Sequence, residues 1–296
     1  MTYQGNRFYK YLTIGEDDKR WGIYLTGAGH IKVEKNTEYP LVDDPSHHYF
    51  HWTTGRRLSE YQILFITKGQ GLFESEMTSI RKVNAGDIFI LFPDIWHRFK
   101  PDKATGWDEY WIEFDGEIIK HFRNMEFLNP NNPVIAVGLQ EEIAENYLKI
   151  LKLIKDEKPG FQYIASGILI QILGQLFASR KYHLFEGKII ENKIRQAKLI
   201  IMENVNTPIS QEDIAGNIGM GYSLYRKKFK EYTGVSPTQY QIQLKINKAK
   251  DLLITSNQTL KEIAYNLGFE FPDYFYRLFK QKTGITPSDF REKNIR

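Results

Sequence analysis

Phe229-Lys230-x-x-Thr233-Gly234-x-Ser236-Pro237-x-x-Tyr240 returns as Phe279-Lys280-x-x-Thr283-Gly284-x-Thr286-Pro287-x-x-Phe290, displaced by 50 positions. Upstream, Ile214-Ala215-x-x-x-Gly219 is matched by Ile263-Ala264-x-x-x-Gly268 at an offset of 49. The one-residue difference falls in the turn before the longer helix, where an insertion costs least. A short helix ending at glycine, a tight turn and a longer helix ending at Thr-Gly is the grammar of a helix-turn-helix, and here it occurs twice. In the first copy Ser210 is the expected cap, with Asp213 three residues on, and the second helix is expected from about Gly221 to Tyr232. In the second copy Thr259 caps, Glu262 completes the capping box and Pro272 opens the long helix.

Ile214, Ala215, Ile218, Tyr225 and Phe229 are the expected core of the first unit, which leaves Tyr222, Ser223, Arg226, Lys227 and Lys230 for solvent or DNA. Ile263, Ala264, Leu267, Phe275 and Phe279 do the same in the second, leaving Asp273, Tyr276, Arg277 and Lys280. Arginine and lysine can bond guanine edges in a major groove, whereas Lys230 and Lys280, near the helix ends, suit phosphates. Gln243 to Leu253 reads as one amphipathic connector. A rigid connector would let two recognition helices enter successive major grooves about 34 Å apart without dimer symmetry.

The charge distribution agrees. Residues 188–296 hold 18 Lys and Arg against 11 Asp and Glu, a net +7, while residues 1–187 hold 22 against 25, a net −3. A basic tail behind a mildly acidic front suggests that the tail meets a polyanion and the front does something else. With 42% hydrophobic and 26% charged residues over 296 positions, the chain is expected to fold as two globular domains. Cysteine is absent, which removes disulfides, thiolate catalysis and cysteine-held zinc. No apolar run is read as reaching the roughly 18 to 20 residues of a membrane span, so the expectation is a cytoplasmic protein without a membrane partner.

From Trp21 to about Asp115, stretches such as Tyr61-Gln-Ile-Leu-Phe-Ile-Thr67 and Asp87-Ile-Phe-Ile-Leu-Phe92, punctuated by Gly and Pro, predict short strands of a sandwich or small barrel. From Leu139 to about Tyr182 the period becomes helical: Ile143, Tyr147, Ile150, Leu151 and Ile154 form one stripe, and a second apolar helix runs from Phe161 to Phe177 beyond Lys158-Pro159-Gly160. That second helix is wider in its apolar face than one-sided packing requires; it is either sandwiched by the β domain or forms a dimer surface.

The tail resembles the AraC/XylS family of transcription regulators, through Ile263-Ala264, Gly268-Phe269, Tyr274-Phe275, Phe279-Lys280, Gly284 and Thr286-Pro287, followed by Arg291. The match covers about residues 190 to 291. By resemblance, the base-reading positions fall on Ser223, Arg226 and Lys227, and on Pro272, Asp273, Tyr276 and Arg277. Proline donates nothing and a carboxylate repels phosphate, so the second helix either reads less or contacts cytosine through Asp273. The front half is similar to the cupin-type sensory domain of such regulators, through Gly86-Asp87, Pro93 and His97 and through Trp107-x-Glu-Tyr-Trp-Ile-x-Phe-x-Gly116.

The expected class is therefore α+β in two domains: a cupin-like effector-binding β-barrel over residues 1–138, a helical hairpin for dimerisation and a linker over 139–187, and an all-α tandem helix-turn-helix over 188–296. The resemblance implies double-stranded DNA, RNA polymerase and a second copy of the chain as partners, and a small effector inside the barrel. Trp96, Trp107 and Tyr110 can stack on pyranose faces while Arg56, His97 and Glu109 supply hydrogen bonds, which favours a sugar or related metabolite. The leading expectation is a sugar-responsive activator. The first alternative is a regulator without a small molecule, whose front domain only dimerises or contacts protein; an aromatic-filled interior would favour it. The second is a metal-dependent cupin enzyme, for which His47, His48, His51 and His97 are the only candidates, without the His-x-His and following glutamate of such a site. No catalytic triad or phosphate loop is found, so no catalytic residue, cofactor or metal is expected.

Overall fold

The computed structural model describes residues 7–40, 51–124, 127–182, 189–207 and 209–294. The chain divides into two units, Met1–Arg180 and Lys181–Arg296.

The first unit runs β1 (Arg7–Tyr11), α1 (Glu16–Arg20), β2 (Tyr24–Val33), β3 (Tyr61–Ser75), β4 (Thr78–Asn84), β5 (Asp87–Leu91), β6 (His97–Pro101), β7 (Trp107–Asp115), α2 (Glu117–Asn124), β8 (Val134–Ala136), α3 (Glu141–Asp156) and α4 (Phe161–Tyr182). All pairings are antiparallel, in the order β1-β2-β7-β3-β5-β8 with β4 and β6 also on β3. β3 serves both layers. Tyr61 to Phe65 lie between β7 and β5, and Gly71 to Ser75 lie between β4 and β6. The strand changes partners at the bulge between Ile66 and Lys68 and at Gly69, whose φ of +81° suits glycine and whose Cβ would lie 2.1 Å from the Gly106 carbonyl oxygen.

Alternation along the strands divides the interior. Leu64, Ile66, Phe73, Phe89, Leu91, Phe99, Trp107 and Trp111 point between the two layers, while Ile63, Phe65, Ile88, Ile90, Tyr110, Ile112 and Phe114 point the other way. Ile143, Tyr147, Ile150, Leu151 and Ile154 of α3 and Ala165, Leu169, Ile172, Leu173 and Leu176 of α4 pack onto that second face. The hairpin is thus core on its inner side. Gln162 reinforces the seam, accepting from the Leu25 amide at 3.2 Å and donating to its carbonyl at 2.9 Å. Phe161–Ser179 has the length and apolar composition of a membrane span, contrary to the expectation that no stretch does. Its buried stripe against the sheet accounts for that composition, since a helix covered on one face and partly shielded on another is apolar most of the way round.

The second unit is helical: α5 (Ile189–Glu203), α6 (Gln211–Asn217), α7 (Tyr222–Thr233), α8 (Pro237–Thr255), α9 (Leu260–Asn266), α10 (Pro272–Thr283) and α11 (Pro287–Asn294). Two cores form, one around Ile194, Ile201, Ile214, Tyr225 and Phe229, the other around Ile246, Leu253, Ile263, Phe275 and Phe279. The connector helix α8 begins at Pro237, earlier than the Gln243 of the sequence reading. Ser236 accepts from the Gln239 amide, Gln239 bonds back, and Pro237 occupies the first turn, so what looked like the end of one motif is the cap of the next helix.

Candidate nucleic-acid interface and barrel interior

The two helix-turn-helix units are built by the same local devices. Ser210 accepts the Asp213 amide at 3.0 Å, and Thr259 accepts the Glu262 amide at 3.2 Å while the Glu262 carboxylate takes the Thr259 amide at 2.7 Å. The Thr259 amide, and then its hydroxyl, which also donates to the carboxylate at 2.9 Å, hold the Glu262 carboxyl below its usual range. Both long helices stop at a left-handed glycine, Gly234 at φ 85° and Gly284 at φ 83°, and in both the preceding threonine hydroxyl donates 2.8 Å back to Phe229 or Phe279.

Beneath this lies a correspondence the sequence reading missed. Lys193 donates to the Gly219 carbonyl at 2.6 Å, and Lys245 donates to the Gly268 carbonyl at 3.4 Å, so a lysine from the preceding helix fastens each turn. The signal was in the sequence: Lys193-Ile-Arg-Gln-Ala-Lys-Leu-Ile-Ile201 lines up with Lys245-Ile-Asn-Lys-Ala-Lys-Asp-Leu-Leu253 at an offset of 52.

With Tyr225 and Phe229 buried, α7 turns Ser223, Arg226, Lys227 and Lys230 outward, all exposed, and Tyr222 lies half-buried with the Arg226 guanidinium 5.5 Å from its ring centre. With Phe275, Leu278 and Phe279 buried, α10 turns Asp273, Arg277 and Lys280 outward, and Tyr276 is half-buried. Burial raises the Tyr276 hydroxyl above its ordinary range, with nearby Asp273 adding to it. Each helix therefore offers one row at i, i+4 and i+7: Ser223, Lys227 and Lys230 on α7, and Asp273, Arg277 and Lys280 on α10.

In the barrel, four of the six effector candidates face the space between the layers, one stays at its rim and one lies on the opposite face. Trp107 and Glu109 point inward from β7, and the Arg56 backbone pairs with His97 while its Nε donates toward His97 Nε2 at 3.3 Å. Tyr110 lies on the opposite sheet face, against His30 at 4.3 Å and Tyr147 at 6.3 Å between ring centres. Trp96 stays at the rim, its indole N–H bonded to the Thr54 carbonyl at 2.8 Å. His51 is exposed, and His47 and His48 lie outside the described residues, among which no group of three potential metal ligands occurs.

Inward-facing Gln62 and Glu113, which the sequence reading did not single out, complete a buried polar group with Glu109 and His97, each no more than 3% exposed. Gln62 donates to Glu113 at 3.0 Å. Burial pushes the Arg56 guanidinium below its ordinary range, opposed by Tyr39, Glu113, Glu109 and Tyr11 nearby. Two strand glycines make the space: a Cβ on Gly27 would sit 2.8 Å from Glu113 Oε2, and one on Gly29 would sit 2.5 Å from the Trp111 ring. The spacing Trp107, Glu109, Trp111, Glu113 is the legible signal, an inward period of two with polar residues where a core would have none. The Trp107 indole nitrogen and Gln62 Oε1 are buried without a hydrogen-bond partner. Beside this interior, a cleft of about 520 Å³ is lined in part by Tyr39, Trp52, Gly71, Leu72, Lys82 and Lys100. Tyr39 lies 6.2 Å from Trp107 between ring centres, so cleft and interior share a wall.

Residues 214–293 match the family described as a helix-turn-helix domain, and residues 39–173 match the AraC-like ligand binding domain. The chain is 25% identical to the MmsAB operon regulatory protein of Pseudomonas aeruginosa over 92% of its own length and 83% of that protein's. It is 24% identical to the lactose operon transcription activator of Staphylococcus xylosus over 76% of its own length and 81% of that protein's. Among solved structures, an AraC-type DNA-binding domain protein from Chromobacterium violaceum is similar at 27% identity and a TM-score of 0.34, covering 35% of this chain and 93% of that one.

Proposed function

Because the chain belongs to the AraC family of DNA-binding transcription regulators, with an AraC-like ligand-binding domain in front of the helix-turn-helix domain, we propose that it reads a two-block, asymmetric operator and that a small polar effector inside the barrel controls the outcome. On the operator, Ser223, Arg226 and Lys227 of α7 and Asp273, Tyr276 and Arg277 of α10 meet base edges. Tyr222 supports Arg226, and Lys230 and Lys280 meet phosphates. α8, continuous from Pro237 to Thr255, sets the spacing of the blocks.

The observation that carries the effector is the burial of two carboxylates, Glu109 and Glu113, between the layers beside the part-buried Arg56 guanidinium. A barrel interior serving only as core would fill with apolar side chains, because an ionised group taken from water costs several kcal/mol unless other groups or a ligand compensate it, on the order of magnitude known for buried ions. The apolar end, with Phe73, Phe89, Phe99 and Trp107, is already filled; the polar end, with Arg56, Gln62, Glu109 and Glu113, is where a polyhydroxylated ligand finds donors and acceptors beside the Trp111 ring. A sugar or related metabolite as effector, and activation as outcome, follow the relative named for the lactose operon. Homodimerisation through the outer face of α3 and α4, contact with RNA polymerase and a cytoplasmic location complete the proposal.

The test is selection of bound sequences from a random duplex pool by the full-length protein, repeated with Arg226→Ala and Arg277→Ala. Two enriched blocks about one helical turn apart, each blurred by one variant, are expected; a single block insensitive to either variant overturns the bipartite reader. Calorimetry with a panel of monosaccharides and glycosides tests the effector: binding by the wild type that is lost in Glu113→Gln supports the barrel site, and no binder in the panel favours a front domain that acts without a sugar.

A further inference from the structure

The two recognition helices begin differently. α7 starts after Gly221, whereas α10 starts after Phe271, which occupies the N-cap position, makes no side-chain cap bond and is 64% exposed. Around it Ser210, Ser236 and Thr259 all cap their helices by accepting a backbone amide. An N-cap serine, threonine or aspartate stabilises a helix by about 1 kcal/mol over an apolar residue, so phenylalanine is the locally wrong residue for the fold. It is wrong for solubility too, since an exposed aromatic ring gains nothing from water. Local rules broken without structural compensation point to function. The turn ahead of α10 is also one residue longer than that ahead of α7, and Phe271 is its last residue.

We propose that Phe271 is a specificity-determining residue that lays its ring against the 5-methyl group of a thymine in the major groove, so that the start of α10 reads pyrimidines where α7 reads purines. This rests on α10 acting as a recognition helix. The occupant is duplex DNA and not a protein, because the exposed row leading away from Phe271 carries Arg277 and Lys280. Among base-edge groups a phenylalanine ring suits the thymine methyl, and the characteristic major-groove partner of a carboxylate such as Asp273, two residues on, is the cytosine amino group. Pro272 removes one donor from the helix start and fixes its φ. The start of α10 therefore offers an apolar ring and a carboxylate, the complement of a thymine and a cytosine, whereas α7 offers Ser223, Arg226 and Lys227, the complement of guanine edges and phosphates.

The experiment uses the full-length chain and a duplex recovered by selection. Within the block blurred by Arg277→Ala, each thymine is replaced in turn by deoxyuridine, which removes the methyl group and leaves pairing unchanged. At one position the wild type loses about fourfold in affinity, the equivalent of one methyl group's burial, and Phe271→Ser loses nothing further there. Phe271→Ser restores a capping residue, so its Tm is expected to equal or exceed that of the wild type, which separates recognition from folding. Wild-type affinity unchanged at every deoxyuridine position, or an equal loss in wild type and Phe271→Ser, overturns the inference. A block that does not respond to Arg277→Ala overturns it as well, and marks instead the failure of α10 as a reader.

Discussion

Lys245 carries its ammonium group through the second helical core to the carbonyl of Gly268, 3.4 Å away, in a residue that is 8% exposed. The group also lies 5.1 Å from the centre of the Phe269 ring. It fastens the turn on which α10 is mounted, and burial drives its pKa below the ordinary 10.5. Lys245→Ala should remove both the packing of the stem and the tie to the turn, at about 2–3 kcal/mol, whereas Lys245→Met keeps the stem and should cost less. Urea unfolding of the two variants checks the order. Because the folded pKa is depressed, the unfolded chain holds this proton to higher pH; the wild type should gain stability relative to Lys245→Met as pH rises toward 10.5, and not lose it.

Gly29 is glycine for space and not for backbone freedom. Its missing Cβ is where the Trp111 ring lies, and the Phe8 carbonyl stands 2.8 Å from the same point. Gly29→Val should destabilise the front unit by about 2 kcal/mol or more through overpacking. It should also abolish effector binding before it abolishes folding, which calorimetry at low temperature beside a melting curve will show.

The outer face of the hairpin carries Ile164, 58% exposed, beside Leu153 and Ile168 in a shallow cleft of about 370 Å³ flanked by Lys149, Lys152 and Lys158. If two copies meet there, Ile164→Asp should shift the sedimentation mass toward a single 34.8 kDa chain and leave the melting temperature nearly unchanged. A dimer that persists in the variant places the contact elsewhere.

Lys230 and Lys280 stand at equivalent points near the ends of the two recognition helices. Each should contribute one phosphate contact, so Lys230→Ala and Lys280→Ala should each flatten the logarithmic salt dependence of operator binding by about 0.9. Neither should change which sequence is selected, in contrast to Arg226→Ala and Arg277→Ala.

The helical half was legible because its signals are local. A cap, a turn glycine and a C-terminal glycine lie within a few residues of one another, and their repetition, from Phe229-Lys230 to Phe279-Lys280, needs no knowledge of the third dimension. What escaped there, the ties from Lys193 and Lys245, joins residues 26 and 23 positions apart. In the barrel the strands and their punctuation were readable, but the direction of each side chain depends on register. Tyr110 and Glu109 are neighbours in sequence and lie on opposite faces of one strand, so a stacking aromatic and its hydrogen-bonding partner could not both be inside. Gln62 and Glu113 were missed for the same reason: their bond spans 51 residues and exists only once β3 and β7 are in register. The hairpin left two readings in sequence, core or dimer surface, and the sheet takes the inner faces of both helices.

β3 has a kinetic consequence as well as an architectural one. It is hydrogen-bonded to β4, β5, β6 and β7, with Tyr61 opposite Phe114 across more than fifty positions of chain, so the front unit cannot close its layers until that distant partner has been found. The rear unit gathers each core largely from helices adjacent in sequence. Chains dominated by distant pairings renature orders of magnitude more slowly than those built from neighbours. After denaturant is removed, the half that grips DNA is therefore restored first, and for an interval the molecule is a reader whose sensing half has yet to assemble.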